Sequence, residues 1–236
     1  MKVGGLRVYL SETSDSSATT MHGVRDAAPA TIGVTATARA ANSRSKRALD
    51  VAISTAVLLF ITPLLVLVAG AIWLESGGPV LFRQARTGLN GRVFQVYKFR
   101  SMTVAEDGGA FRQATRGDAR ITRIGRLIRR TSVDELPQLL NVLRGEMSLV
   151  GPRPHPVALD TQFQPTIAGY ADRFQVKPGI TGWAQVSGHR GETRQVEDMA
   201  LRISHDLQYV QGWSFGLDLQ ILAKTLVVVP FDRAAF

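Results

Sequence analysis

The sequence predicts an α+β, mostly helical protein in which one apolar helix enters a membrane, as a re-entrant hairpin or a span, and amphipathic helices and a small domain lie at its surface. Three observations predict it. From Val51 to Trp73 the chain carries no charged residue, a length sufficient to reach across bilayer hydrocarbon. Downstream, helical patterning runs through 119–130, from Ser132 or Asp134 to Arg144, and through 195–211 and 217–229. Between them, Ser76-Gly77-Gly78-Pro79 and Gly88-Leu89-Asn90-Gly91 are turn signals, and Val93-Phe94-Gln95-Val96-Tyr97 alternates as a strand does, so 76–100 reads as a short β-hairpin.

The apolar run bends by its own chemistry. Thr62-Pro63 falls in its middle, where proline removes a backbone donor and crowds the preceding turn. Arg39, Arg44, Lys46 and Arg47 precede the run and Arg83, Arg86, Arg92, Lys98 and Arg100 follow it, so the positive-inside rule keeps both flanks cytoplasmic. A re-entrant hairpin satisfies both flanks, whereas an ordinary spanning helix also tolerates proline; residue physics leaves the two open. In 119–130, Ile121, Ile124, Leu127 and Ile128 share one helical face with most arginines elsewhere, which suits a membrane surface or a solvated face over a protein core. Trp73, Trp183 and Trp213 suit an interface or burial equally.

The domain division follows. Residues 1–44, poor in large apolar side chains, read as a flexible tail without a secretory h-region; 45–75 form the membrane helix, 76–230 the cytoplasmic-face domain and 231–236 a C-terminal tail. The 236 residues carry 28 Lys+Arg against 19 Asp+Glu, a formal net charge of +9 that calls for an anionic partner, lipid or phosphate. Nucleic acid is excluded as that partner by the absence of zinc-finger spacing, an RNP-like strand or a recognition-helix pattern. With no cysteine there is no disulfide, thiolate metal site or thiol nucleophile. The histidines His155, His189 and His205 make no metal triad and read as loop or surface residues.

The candidate chemistry lies in Arg129-Arg130-Thr131-Ser132-Val133-Asp134-Glu135-Leu136-Pro137. Ser132 and Glu135 fit a capping box, and an Asp134 cap would put Pro137 in the first turn, where it is tolerated. Either way the two acids lie at the positive end of a helix, an arrangement that serves capping as well as catalysis. The neighbours favour catalysis. Phosphoryl transfer to a carboxylate joins two anions, so it needs a divalent cation and Arg or Lys to offset charge. Arg129, Arg130, Arg153 in Gly151-Pro152-Arg153-Pro154, and Lys98 are available.

The ordered set of a basic-flanked apolar helix with central proline, Tyr97-Lys98-Phe99-Arg100-Ser101-Met102, Asp118-x-Arg120-x-Thr122-Arg123-x-Gly125, Asp134-Glu135-Leu136-Pro137-Gln138 and Gly-Pro-Arg-Pro resembles the bacterial sugar transferases, the monotopic polyprenyl-phosphate phosphoglycosyl transferases. It covers about 45–230. The resemblance implies a helix broken at Thr62-Pro63, Asp134 as nucleophile, Glu135 positioning it or the metal and assisting deprotonation, Mg²⁺ at Asp134, and Arg129, Arg153 and Lys98 on phosphate. It further implies a UDP-sugar donor, undecaprenyl phosphate as acceptor, a nucleoside monophosphate as product, and the bacterial inner membrane with membrane lipids as partners. A second copy of the chain and downstream glycosyltransferases are compatible partners. The tract Val176–Gly188, followed by Arg190-Gly191-Glu192-Thr193, is similar to members that begin exopolysaccharide or O-antigen synthesis with glucose or galactose. Val133 departs from the family's leucine and Thr62 from its serine; the chain reads as a minimal form. The rivals are a membrane scaffold of polysaccharide assembly, which would not need Asp134, a transporter, which would need more apolar segments, and a polyprenyl-diphosphate phosphatase, which would use water as final acceptor.

Overall fold

Residue placement follows from one long helix and the small sheets and helices that grip its ends. The computed structural model describes residues 40, 43–103, 118–189, 191 and 195–228. The tail expected over 1–44 lies outside these, apart from Ala40, Ser43 and Arg44, as do Arg190, Glu192, Thr193 and the 231–236 tail.

Helix α1 (Arg44–Ser76) begins at Ser43, whose side chain accepts from the Lys46 amide, and ends at Gly77, whose φ of 57° few other residues adopt. At about 1.5 Å per residue its 33 residues, with Pro63 among them, run for roughly 50 Å measured along the helix axis. It is the only helix among the described residues long and apolar enough to cross a membrane. Its first turns are buried: Lys46 reaches Asp218 (2.7 Å) and the Val150 carbonyl (2.9 Å), Arg47 donates to the Val142 and Leu143 carbonyls, and Asp50 accepts from the Leu149 amide (2.9 Å). Its last turns are held too. Ile72 packs with Phe99 and Ile128, and Glu75 accepts from the Arg123 and Ile124 amides. The middle is bare, with Phe60 86% exposed.

The hairpin forms as expected: β1 (Leu81–Thr87) pairs antiparallel with β2 (Val93–Phe99), Leu81 opposite Phe99. Asn90, at φ 55°, and Gly91, at φ 74°, turn the chain, as their residue types allow. Helix α2 (Arg123–Arg130) is shorter than the periodicity suggested. Thr122 caps it through the Gly125 amide (2.8 Å), so Ile121 falls before it and bridges to Met102, while Ile128 faces α1 and Leu127 is 60% exposed.

The next segment starts as a tight 3₁₀ helix, Val133–Gln138, before α3 (Leu139–Arg144), which stops at Gly145 in the left-handed region. Strand β3 (Ser148–Val150) pairs parallel with β4 (Gly179–Thr181); between them run the proline loop 151–156, α4 (Val157–Phe163) and a 3₁₀ turn, Tyr170–Gln175. Then come α5 (Trp183–Val186), α6 (Val196–Gly212) and α7 (Phe215–Val228), the last two matching the expected helices within a few residues. The main core joins Val96, Leu139, Val142, Met147, Val150, Tyr209 and Ile221. Asn141, fully buried, accepts from the Tyr97 amide and donates to the Gln95 carbonyl and Glu146, tying α3 to β2 with its side-chain amide satisfied.

Candidate active site

The 3₁₀ segment presents Asp134 and Glu135 beside the β2 strand and the proline loop. Here the sequence expectation needs correcting. Ser132 lies in the left-handed region at φ 57° and its side chain makes no capping bond, so the expected capping box does not form. Glu135 is drawn elsewhere. Its Oε1 accepts from Lys98 Nζ (2.9 Å) and from Arg153 Nη2, and its Oε2 accepts from Arg153 Nη1 (3.0 Å), a bidentate guanidinium pair that outcompetes a local backbone bond. Four expected residues, Lys98, Asp134, Glu135 and Arg153, thus meet in space, and Arg129 lies close enough to act electrostatically on Asp134. Arg130 is exposed.

The two acids differ in environment. Burial would raise Glu135, but the Arg153 and Lys98 charges and their hydrogen bonds hold it well below the usual carboxylate range. Asp134, only 8% exposed, accepts no hydrogen bond from the described residues. Burial first, and then the Glu135 charge, push it up to about 6, against the opposing pull of Lys98, Arg129 and Arg153. Burial lowers Lys98 while Glu135 raises it, the net being downward. The arrangement holds a bridged, ionised carboxylate next to a carboxylate that no side chain engages.

Local sequence explains how the loop carrying Arg153 is held. Pro152, Pro154 and Pro156 donate nothing, so its order comes from outside donors. Gly179 donates to the Pro152 carbonyl (2.9 Å), Arg86 to the Pro154 carbonyl (2.8 Å) and Arg173 Nη2 to the Arg153 carbonyl (2.6 Å). Arg173 is itself fixed by Asp206 on α6, at 2.8 and 3.2 Å. Its Nη1 donates to His155 Nδ1 (2.7 Å), and the Tyr170 hydroxyl spends its proton on Asp160 Oδ1 (2.7 Å). Nδ1 is therefore an acceptor and the proton sits on Nε2; burial, then Arg173, keeps the ring neutral. This corrects the surface reading of His155, which is 4% exposed. Arg86, Arg173, Asp160, Tyr170 and Asp206 escaped sequence reasoning because their pairing spans tens of residues with no local spacing to betray it.

The other motif residues are structural. Asp118 pairs with Arg120 (2.6 Å), Thr122 caps α2, and a Cβ on Gly125 would strike the Ser101 carbonyl. Arg100 bonds Ser76 Oγ (2.7 Å) and the Gly77 carbonyl at the end of α1. Thr62 and Pro63 lie apart from the site, in the exposed middle of α1, where the Thr62 hydroxyl donates to the Leu58 carbonyl (2.6 Å).

A family model described as bacterial sugar transferase matches residues 41–232, which include every residue of this cluster. The chain belongs to the bacterial sugar transferase family. Curated relatives agree. The chain is 49% identical over 195 residues to the UDP-glucose:undecaprenyl-phosphate glucose-1-phosphate transferase of Escherichia coli (strain K12), covering 83% of this chain and 42% of that protein. It is 53% identical over 188 residues to the protein of that same name from Caulobacter vibrioides, covering 80% and 70%. It is 46% identical over 186 residues to the exopolysaccharide production protein PSS of Rhizobium leguminosarum bv. phaseoli, covering 77% and 93%. This family member thus spans about two fifths of the Escherichia coli relative.

Proposed function

We infer that the protein transfers a hexose-1-phosphate from a UDP-sugar to undecaprenyl phosphate at the cytoplasmic face of the bacterial inner membrane, the first membrane step of exopolysaccharide or O-antigen synthesis. The observation that carries this reading is the unengaged Asp134 carboxylate beside the Glu135–Arg153–Lys98 cluster. Buried and raised toward neutrality, Asp134 lacks the solvation and hydrogen bonds that would make it a sluggish nucleophile.

In the first step an Asp134 oxygen attacks the sugar-linked phosphorus of the donor. A carboxylate–phosphate bond forms, the bond from that phosphorus to the bridging oxygen breaks, and UMP leaves with the electron pair. In the second, a phosphate oxygen of undecaprenyl phosphate attacks the same phosphorus, the diphosphate link forms, and Asp134 departs as carboxylate. Arg153, Lys98 and Arg129 offset the charge that accumulates when anions meet. Glu135, ionised and bridged, is a weak proton acceptor; it positions the two cations instead.

The donor set suits Mg²⁺. Among the described residues no three His, Cys, Asp or Glu cluster, and Asp134 is the carboxylate of the pair that accepts no hydrogen bond from them. Mg²⁺ is characteristically held by one or two carboxylates with substrate phosphates and water completing its shell. When bound there it supplies further neutralisation of phosphate charge. Glucose leads as the sugar because it appears in the names of the Escherichia coli and Caulobacter relatives.

The burial of α1 supports re-entry. Both of its ends are pinned to the same small domain while its middle, Leu59 to Leu67, stays largely exposed and apolar, as expected of a helix that dips into lipid and returns. Exposed Leu127 on basic α2, and Leu219 and Leu226 on α7, support interfacial seating of those helices beside it. On this reading 45–75 is the membrane element and 76–230 the catalytic domain.

The test is incubation of the purified chain with Mg²⁺, undecaprenyl phosphate and a panel of UDP-sugars, following UMP and lipid-linked sugar. Repeated turnover that depends on the acceptor is expected with the wild type and no UMP release with Asp134→Asn, which should still fractionate with membranes. Full activity of that variant would remove Asp134 from the mechanism, and silence of the wild type with every donor would return weight to a scaffold. Cysteines introduced at the two flanks of α1 should label from the cytoplasmic side alone; labelling from opposite sides would make α1 a spanning helix.

A further inference from the structure

Beside Glu135 of the acid pair lies a cavity of about 250 Å³. Thr131, Ser132, Glu135 and Leu136 of the 3₁₀ region form one wall, Ile180 and Val186 another, and Thr225 and Val228 of α7 close it. Its chemistry is largely apolar. The one ionisable residue in the lining is Glu135, whose oxygens are already taken by Arg153 and Lys98.

That lining argues against the donor. A nucleotide diphosphate needs cationic partners, and none of the lining residues is Lys or Arg. The volume is also below the ~300–1,000 Å³ typical of pockets that enclose a drug-sized ligand, so a whole nucleotide-sugar does not fit. An apolar chain segment does. The cavity is continuous at one end with the acid pair through Glu135. At the other, the α7 residues that line it, Thr225 and Val228, flank Leu226 and Val227, which are 79% and 66% exposed. An apolar chain leaving the cavity past α7 therefore meets apolar surface.

We propose that this cavity binds the isoprene units nearest the phosphate of the polyprenyl acceptor, which sets that phosphate beside Glu135 and Asp134. The proposal rests on the transfer reaction above and assigns its second substrate a seat distinct from the donor's. It also gives two-step transfer a structural reason: an acceptor tail held on the α7 side leaves the Arg153 side for the donor's phosphates, so neither substrate has to displace the whole of the other.

The experiment uses the full chain in lipid nanodiscs with Mg²⁺. Val186→Phe fills the cavity, and Ile180→Ala strips contacts from it should the first variant fail to fold, folding being checked by circular dichroism and gel filtration. The donor constant is read from single-turnover UMP release without acceptor, and the acceptor constant from steady-state turnover against undecaprenyl phosphate. The proposal expects the acceptor KM to rise about tenfold or more, the equivalent of losing one or two buried methylenes, with the donor constant within about twofold of wild type. A rise in the donor constant with the acceptor's unmoved would overturn it in favour of a nucleoside or sugar pocket. Unchanged constants in folded variants would overturn it too, making the cavity a packing void. Failure of the wild type to release UMP at all would strike the transfer reaction itself, a separate result.

Discussion

At the scale of single residues, the site is governed by the unequal treatment of two adjacent carboxylates. Asp134 is raised to about 6 from an ordinary value near 4, so the nucleophile proposed for it is fully ionised only above that pH. Single-turnover UMP release should fall as pH drops through 6, losing about tenfold per unit below it. Glu135 contributes to that elevation by its charge. Glu135→Gln should therefore move the acid limb to lower pH even as it slows the reaction by freeing Arg153 and Lys98; an unmoved limb would deny the coupling. The same elevation bears on stability. The folded state disfavours the ionised acid, so its penalty is absent below the unfolded value near 4, grows as pH rises and is complete above about 6. Asp134→Asn should accordingly raise thermal stability at pH 7.5, by about 3 kcal/mol, and change it little at pH 4. Greater stability with no turnover is the combination expected of a group retained for chemistry. Lower stability at pH 7.5 would mean the carboxylate is compensated.

Among the elements, those whose determinants are local were legible in the sequence. The β1–β2 hairpin follows from Asn90 and Gly91 placed where the chain reverses, α6 from its periodicity, and the end of α3 from Gly145. Misreadings arose where a distant partner decided. Ser132-x-x-Glu135 has the spacing of a capping box, yet Glu135 is claimed by residues 37 and 18 positions away, and the helix opens as 3₁₀ instead. Ile121 keeps helical spacing with Ile124 and Ile128 but pairs with Met102, because Thr122 supplies the cap one residue later. The buried Arg173–Asp206 pair, 33 positions apart, had no signal at all. Gly125 shows the same principle in reverse, a motif glycine whose reason is tertiary. Its Cα lies against the Ser101 backbone, so Gly125→Ala should push α2 off the segment following β2 and cost about 1–3 kcal/mol despite alanine's better helix propensity. A thermal midpoint at or above wild type for that variant would show that the backbone yields.

For the whole molecule, the question is what couples the long apolar helix to the acid pair. Lys46, Asp218, Tyr209 and the Val150 carbonyl meet where the start of α1, β3 and α7 converge: Lys46 Nζ lies 2.7 Å from Asp218 Oδ2, the Tyr209 hydroxyl donates to Asp218 Oδ1 at 2.7 Å, and Trp213 Nε1 donates to the same carboxylate at 3.2 Å. Lys46 and Asp218 are both buried, so each depends on the other to offset the loss of water. Removing one charge strands its partner. Lys46→Met alone, or Asp218→Asn alone, should destabilise by about 3–5 kcal/mol, whereas Lys46→Met with Asp218→Leu should recover part of the loss, since neither charge of the pair then remains and only buried Asp50 still lacks the attraction of Lys46. Thermal unfolding in detergent checks the energies; equal losses in single and double variants would mean that the pair contributes packing and not charge. The clamp also predicts a division between folding and chemistry. In the double variant the acid pair keeps its Lys98 and Arg153 partners, while α1 and α7 lose the ionic tie between them. UMP release from a soluble donor should then persist, and turnover with acceptor dissolved in a bilayer should fall further than turnover with acceptor in detergent. Equal losses in both media would place the role of the clamp in stability alone.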